Sequence, residues 1–407
     1  MNIAVAQSGG PTCAINASLV GVFKQGLLTG KIDAIFGSIN GIEGMIHDKL
    51  LNLKGVIRTN EDMELLRQTP STILGSCRYK LPDYEENPEI YEKILHTFET
   101  HRIKIFIYIG GNDSMDTVVK LSSYLKQIGS DVRIIGVPKT IDNDLPVTDH
   151  TPGFGSASKY VATTVQEIIR DSSVYSLPSV TIIEIMGRNS GWLTASTCML
   201  RANGEEAPHL IYLPETDFSA ERFIEDVHKE MAKHKAVIVA VSEGVHFETE
   251  DSGIEEFQSG AVDNFGHKYL SGIGKFLERL VADRIGCKVR SIELNVMQRC
   301  SSHICSKTDI DEAERIGRHA LKTALNGETG KMMYFKRVSD MPYAVTIEMT
   351  DASNVANLEK KFPKEWISPE QNQVTNTAIA YFLPLIQGEV DIYMKNGLPV
   401  HFEKHWR

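Results

Sequence analysis

From Lys104 to Thr117 the chain reads KIFIYIGGNDSMDT, an apolar run that passes directly into a glycine pair and then into a helix-forming segment. This order of features confines the region to a strand, a tight turn and a helix. Ile105 to Ile109 are β-branched or aromatic throughout, the composition of a strand buried on both faces in a parallel sheet. Ser114 is placed to cap the helix that follows. Gly110 and Gly111 would let the backbone approach an anion with no Cβ in the way, and the N–H groups of the helix start would face it. Two glycines serve an ordinary strand-to-helix turn equally well. Taken alone, the stretch leaves both readings open.

A second strand, Val132–Val137, ends in Pro138-Lys-Thr-Ile-Asp-Asn-Asp144. Neighbouring strands of a parallel sheet open their carboxyl ends onto one crevice, where ligands bind in α/β folds. Lys139, Asp142, Asp144 and Asp113 are therefore expected to converge. Acids at a strand end beside a glycine loop point to a site rather than to a solvated turn. The chain begins with the same design: a strand to Ala6, then Ser8-Gly-Gly10, then a helix expected from about Cys13 to Leu28. Gly9 and Gly10 form a second candidate phosphate loop, with the helix dipole behind it. The third glycine of a dinucleotide fingerprint is missing.

Arginines and acids recur at later turns. Arg78 closes the polar stretch Ser71–Arg78 and is a candidate phosphate clamp. The strand Val180–Ile185 ends in Met186-Gly-Arg188, where glycine beside arginine suits an anion, and Glu243 follows the strand Ala236–Val241. Helices are expected over 88–101, 114–128, 157–171, 220–234 and 273–285, the last after a glycine-rich stretch. Strands alternate with them, the pattern of a doubly wound parallel sheet. A strand expected over 289–297 carries Arg290 at its start and leads to Arg299. Nine residues of extended chain would set the two about 30 Å apart, so one of them is expected to serve a neighbouring subunit. The Lys360-Lys-Phe-Pro-Lys-Glu stretch reads as a surface loop without function.

With 407 residues and 42% apolar content, the chain can bury the cores of two α/β lobes. A net charge of −10 without a basic run excludes nucleic acid and anionic membrane as partners, because both require clustered Lys and Arg. Met1 leads directly into the first strand and no apolar segment is long enough to span a bilayer, so the cytoplasm is the expected compartment. Six cysteines without CxxC pairs suit reduced thiols rather than a disulfide or zinc framework.

Seven motifs in order, namely Ser8–Gly10, Gly75–Arg78, Gly110–Ser114, Pro138–Asp144, Met186–Arg188, Ser242–Gly244 and Gln298-Arg299, together resemble the phosphofructokinase family. The resemblance implies an α/β fold of two similar doubly wound lobes with the active site in the cleft between them. The first lobe would comprise residues 1–153 with part of 300–407, and the second 154–299 with part of the C-terminal region. It implies Mg2+-dependent phosphoryl transfer to the 1-hydroxyl of fructose 6-phosphate. Asp142 resembles the base, and Asp144 and Thr140 the groups that position metal and sugar. Arg188, with Met186 and Gly187, resembles the grip on the transferring phosphoryl and the sugar. Glu243 would bind sugar hydroxyls, Arg299 the 6-phosphate, and Arg290 that phosphate across a subunit boundary in a homodimer or homotetramer.

Asp113 and Lys139 stand where ATP-using members carry glycine. An added carboxylate would crowd a nucleotide's inner phosphate, and an added ammonium suits a compact dianion, so the resemblance favours pyrophosphate as donor. The donor residues would be Gly9, Gly10, Arg78, Gly111, Asp113 and Ser114, with Lys139 assisting transfer. Asn112 occupies the position of a metal-associated acid. Val296 and Cys300 depart from the family's sugar pocket, which leaves sedoheptulose 7-phosphate open as acceptor. Val20 replaces an effector-site arginine, so no nucleotide control is expected. The alternatives are an ATP-dependent sugar-phosphate kinase and a non-catalytic sugar-phosphate sensor.

Overall fold

Alternation along the strands fixes the first layer. In β1 (Asn2–Gln7), Ile3 and Val5 face one core while Ala4 and Ala6 face another. The sequence continues through α1 (Ile15–Leu28), β2 (Ile35–Ser38), β3 (Leu50–Asn52), α2 (Pro88–Thr100), β4 (Ile103–Gly110), α3 (Asn112–Gln127) and β5 (Arg133–Pro138). In β4, Ile105, Ile107 and Ile109 join the first core, and Phe106 and Tyr108 the second. Both faces are thus apolar and both must be covered, so helices lie on each side. The computed structural model describes residues 1–247 and 272–403.

The second layer repeats the plan with α4 (Phe154–Ser172), β6 (Ser179–Ile185), β7 (Leu210–Tyr212), α5 (Ala220–Met231), β8 (Ala236–Ser242), α6 (Ile273–Arg284) and β9 (Lys288–Glu293). Ile183, Ile185, Ile238 and Ala240 pack on α4 residues Val161, Val165 and Ile169. Val180, Ile182, Val237 and Val239 pack on Phe223, Val227, Leu277 and Val281 from the opposite side. The chain closes with α7 (Lys307–Leu325), β10 (Lys331–Asp340), β11 (Tyr343–Asp351) and α8 (Thr377–Phe382). Among the described residues the larger of the two main sheets has the order β11-β10-β5-β4-β1-β2-β3 and the smaller β9-β6-β8-β7, beside two short two-stranded pairings. The second is parallel throughout; in the first, only β3 and β11 run antiparallel to their neighbours. This is the doubly wound two-lobed architecture expected from the alternation.

Past residue 300 the chain passes repeatedly between the lobes. β10 pairs with β5 of the first sheet, Phe362, Ala378 and Phe382 fill the core under the second, and Phe402 returns to the core of the first.

Several boundaries differ from the sequence reading for identifiable reasons. α1 begins at Ile15 rather than near Cys13, because Thr12 Oγ1 accepts from the N–H groups of Ala14 and Ile15 at 3.2 and 3.0 Å. α3 begins at Asn112 with Gly111 as its cap. Ser114 is therefore no cap: it is buried inside the first turn, and its hydroxyl fills the space beside Gly110, where an added Cβ would lie 1.9 Å from it. The glycine-rich stretch expected before α6 falls largely outside the described residues. β9 ends at Glu293 rather than Met297, since Asn295 takes a left-handed conformation (φ +42°) and starts a short 3-10 turn through Arg299.

α1 and α7 cross through two glycines. A Cβ on Gly21 would lie 2.0 Å from the Glu314 carbonyl oxygen, and one on Gly317 would lie 2.1 Å from that of Ser18. Both obstacles are backbone and cannot rotate away. Gly317→Ala is expected to lower the thermal unfolding midpoint, because overpacking costs about 1–3 kcal/mol whereas helix propensity returns at most about 1 kcal/mol. Gly55→Ala, where a Cβ meets nothing within 4 Å, serves as control and should leave the midpoint unchanged or slightly raised. Equal behaviour of the two variants would show that the helices separate freely.

Candidate active site

The ladder between β4 and β5 continues one step past the strands, with the Lys139 N–H donating to the Gly110 carbonyl at 2.9 Å. That bond places Lys139 beside the glycine loop. Its side chain is 2% exposed and reaches the first loop, where Nζ donates to the Gly10 carbonyl at 2.6 Å. A Cβ on Gly9 would lie 3.2 Å from the same nitrogen, and Gly9 adopts φ +75°, open to glycine at little cost. Burial brings the Lys139 ammonium down to about 8; Asp142 and Asp144 oppose the shift, while Arg299 and Arg78 add to it. Lys139 thus stands among all four charged groups. With the first N–H groups of α1 taken by Thr12, the Gly9–Gly10 turn rather than that helix start is what the first loop presents here.

The acid turn is shaped from its middle residue. Asn143 is fully buried with φ +55°, a conformation asparagine tolerates better than most residues. Its Nδ2 donates to the Tyr381 hydroxyl at 2.9 Å. With the middle side chain turned into the core, the flanking carboxylates of Asp142 and Asp144 are left to the cleft. Thr140 Oγ1 accepts from the Asp142 N–H at 3.1 Å and lies 3.4 Å from its Oδ2. Burial raises Asp142, while Lys139, Thr140, Arg299 and Arg188 pull it back. Burial and the charge of Asp142 together raise Asp144 to about 7.

The second lobe supplies the opposite wall. Glu243 extends the β6–β8 ladder, its N–H donating to the Ile185 carbonyl at 2.9 Å, and its Oε1 accepts from the Gly187 N–H at 3.3 Å. Burial, then the charge of Asp142, raises its carboxyl to about 7. The Met186 N–H donates to Gln298 Oε1 at 3.2 Å, which ties the Met186–Arg188 loop to the turn bearing Arg299. A Cβ on Gly244 would lie 1.7 Å from the Arg188 carbonyl oxygen, so only glycine lets the two turns touch. Arg188 in turn is close enough to depress both Asp142 and Glu243. Arg299 approaches the first lobe, 3.5 Å from where a Cβ of Gly10 would lie.

The structure therefore brings together Gly9, Gly10, Arg78, Lys139, Thr140, Asp142, Asp144, Arg188, Glu243 and Arg299. Gly111 and Asp113 open α3 beside them, Asp113 in the first turn, where a carboxylate also suits the helix dipole. Arg290 lies elsewhere, in β9 and paired with Asp171 at 3.3 Å. The uninterrupted strand on which the separation of Arg290 from Arg299 was argued is absent, because the chain bends at Asn295. Asn112 is not turned toward the carboxylates. Its Oδ1 accepts from the Asn357 N–H at 2.5 Å and its Nδ2 donates to the Leu358 carbonyl.

No cluster of three or more His, Cys, Asp or Glu side chains able to hold a metal occurs among the described residues. A pair of carboxylates, each raised by burial, is nonetheless a donor set that fits a hard divalent cation, which takes one or two carboxylates and completes its shell with phosphate oxygens and water. Asp142 and Asp144 are that pair.

Of the stretch expected to form a surface loop, Lys361, Lys364 and Glu365 are exposed, but Lys360 and Phe362 are built in behind the site. Lys360 donates from Nζ to Asn143 Oδ1, the Thr148 carbonyl and the Asp149 carbonyl at 3.3, 3.1 and 2.9 Å, and Phe362 is buried. Burial holds its ammonium near 8. A Lys-Lys pair ordinarily signals a solvated face, and only the aromatic two residues later hinted otherwise.

A model of the family described as Phosphofructokinase matches residues 2–324. The chain belongs to the phosphofructokinase family. Among curated relatives, a pyrophosphate–fructose 6-phosphate 1-phosphotransferase of Halomonas elongata is 38% identical, the match spanning 98% of this chain and 94% of the relative. A sulfofructose kinase of Alkalicoccus urumqiensis is 33% identical over 84% of this chain and 85% of its own length. Among solved structures, a pyrophosphate-dependent phosphofructokinase from Marinobacter aquaeolei superposes with a TM-score of 0.88 at 34% identity, covering 100% of this chain and 96% of that one.

Behind the acid turn, His150 is buried between Asp149 Oδ2 at 2.9 Å and Glu312 Oε2 at 2.8 Å, and stacks on Phe335. Burial alone would discharge the imidazole, but the two carboxylates outweigh it and hold its pKa at about 9, above the ordinary 6.5. The folded value is the higher one, so this contribution is complete below about pH 6.5 and lost as pH rises through 9. The His150 contribution falls across that interval by on the order of 3 kcal/mol, while Lys139 and Lys360, both held near 8 in the fold, gain stability over its upper part and oppose the fall. Denaturant midpoints at both ends, compared between the wild type and His150→Gln, test it: the stability difference between the two should shrink as pH rises, and parallel profiles would refute a charged imidazole.

Proposed function

We propose that this phosphofructokinase-family chain transfers a phosphoryl group reversibly from pyrophosphate to the 1-hydroxyl of fructose 6-phosphate, giving fructose 1,6-bisphosphate and phosphate. The observation that carries this reading is the buried Lys139 ammonium, which links the two glycine loops and lies beside Asp142. A lysine there supplies positive charge to a small dianion at a point a bulkier donor would need for itself. The pyrophosphate-dependent relatives support the same donor.

In the forward direction Asp142 accepts the proton of the 1-hydroxyl as its oxygen attacks phosphorus. The new O–P bond forms while the bridging P–O bond of pyrophosphate breaks, and phosphate leaves. Arg188 and Lys139 stabilise the charge spread over the phosphoryl oxygens in transit. Gly9, Gly10, Gly111 and Arg78 cradle the donor, while Ser114, expected to join them, is packed beneath Gly110 with its N–H on the Gly111 carbonyl. Thr140, Met186, Gly187 and Glu243 orient the sugar, and Arg299 holds its 6-phosphate. Asp142 and Asp144 would hold Mg2+ together with donor oxygens; the ion supplies charge neutralisation along the phosphate chain. Residues 1–153 with part of 300–407 take the donor, and 154–299 with part of the C-terminal region take the sugar. Arg290 is assigned to the 6-phosphate of a neighbouring subunit, which makes the working enzyme a homodimer or homotetramer. The cytoplasm is the compartment assigned to it in this reading, to which the absence of a membrane-crossing helix among the described residues is no obstacle.

The sulfofructose kinase among the relatives favours keeping one further reading of the acceptor: another ketose with an anionic far end, sedoheptulose 7-phosphate included. An ATP-dependent kinase or a non-catalytic sensor has less behind it, since Lys139 and an ionisable Asp142 are both in place.

A coupled assay with fructose 6-phosphate and Mg2+, supplied in parallel with pyrophosphate or ATP, is expected to show turnover with pyrophosphate alone. Turnover with ATP alone would overturn the donor. In the same assay Asp142→Asn should lower kcat by about 10²–10⁴-fold with little change in the KM for the sugar phosphate. A loss smaller than about tenfold would remove Asp142 from the role of base.

A further inference from the structure

Residues Asn357–Phe362 lie beyond the span that the family model matches, yet they touch the start of α3, the acid turn and the loop after Arg188. Asn357 and Leu358 engage the Asn112 side chain at the start of α3, and Asn357 Nδ2 donates to Asp116 Oδ1 at 2.9 Å, one helical turn along the same face. The Lys360 N–H then donates to the Asp144 carbonyl at 2.7 Å. Glu359 accepts from Asn189 Nδ2 at 2.6 Å and Lys361 donates to the Asn189 carbonyl at 2.5 Å, next to Arg188. The Trp192 indole N–H and the Ser190 hydroxyl both donate to the Lys360 carbonyl, at 3.3 and 3.1 Å. Phe362, buried in the second-lobe core, anchors the far end.

We propose that this segment is the outer wall of the donor site, and that Asn357 and Leu358 limit the donor to two phosphates. The inference rests on the pyrophosphate reading above. The phosphoryl that moves lies at Asp142, so the opposite end of the donor lies against Gly111 and the first turn of α3. Any third phosphate or nucleoside joined to that end has to leave past Asn112 and Asp113. Asn357 and Leu358 stand across that exit, hydrogen-bonded to Asn112. The carboxylate of Asp113 stands beside the same path and disfavours further negative charge, while those of Asp116 and Glu359 are balanced by Lys120 at 3.0 Å and Lys361 at 3.2 Å. The wall does not swing aside cheaply, because Lys360 and Phe362 hold it from behind. Donor length is therefore read at the rim by a segment far along the chain, in addition to the choice made inside by Lys139.

The test compares pyrophosphate with inorganic tripolyphosphate as donors for the full chain, with Mg2+ and fructose 6-phosphate. Wild type is expected to use tripolyphosphate with a kcat/KM about 100-fold or more below that for pyrophosphate. Asn112→Ala/Leu358→Ala frees the exit, because the Asn112 side chain makes both hydrogen bonds to the backbone of the segment and Leu358 is 51% exposed. In this variant the ratio of tripolyphosphate to pyrophosphate kcat/KM should rise about tenfold or more. A variant that folds, as judged by its unfolding midpoint, and keeps the wild-type ratio would overturn the wall. Should the variant not fold, competition on the wild type decides. Imidodiphosphate, the length of pyrophosphate, should displace it at least about tenfold better than tripolyphosphate, and equal potency would overturn the wall. Wild-type turnover with ATP alone would sink the donor reading and the wall together, whereas pyrophosphate turnover with an unchanged ratio would sink the wall alone.

Discussion

The arrangement of the cleft depends on one hydrogen bond between a charged group and the backbone: the Lys139 ammonium on the Gly10 carbonyl. It joins the loop after β1 to the loop after β5 and fills the space that the glycines leave. An ammonium so enclosed is costly unless its protons are bonded and opposite charge is near. The carbonyl supplies the first condition and the acid turn the second. Those acids are themselves raised by burial, so the lysine and the carboxylates are mutually dependent.

What surrounds that bond is scaffolding that fixes side-chain direction. The β4–β5 ladder extends to Lys139, Asn143 turns inward so that its neighbours turn outward, and Gly244 lets the Arg188 loop rest against the Glu243 turn. Each device acts on the backbone. A cleft built in this way needs few side chains to hold its functional groups, which leaves those groups available for ligand.

The parallel strands and the loops at their carboxyl ends were legible in the sequence, because burial on two faces leaves a continuous apolar run and the turns that follow must be glycine-rich or polar. Asp142, Lys139, Arg188 and Glu243 were found for that reason. Limits of elements were less legible: Thr12 capping α1, and Asn295 cutting β9 short, are decisions of single side chains or single dihedrals. Lys360 was read as surface and His150 was passed over because the partners that decide them, Asn143, Thr148 and Asp149 for the lysine and Glu312 for the histidine, lie far away in the chain. Nothing local distinguishes a lysine whose ammonium meets Asn143 from one in solvent, or a histidine between Asp149 and Glu312 from one on a surface. Asn112 was misplaced for a related reason, since its position in the motif was visible and its binding to Asn357 was not.

The passage of the last hundred residues from one lobe to the other has a mechanical consequence. Two lobes joined by a single connection can open like a book, by bending at one hinge. Here β10 is stitched into the first sheet, Phe362 and Phe382 into the core of the second lobe, and Phe402 into the core of the first. A wide opening would have to strain several such threads at once, so the motions left to the molecule are small slides of one packed layer over another. Neither lobe can be cut out and expected to fold, since each keeps part of its core on a stretch of chain that has passed through the other.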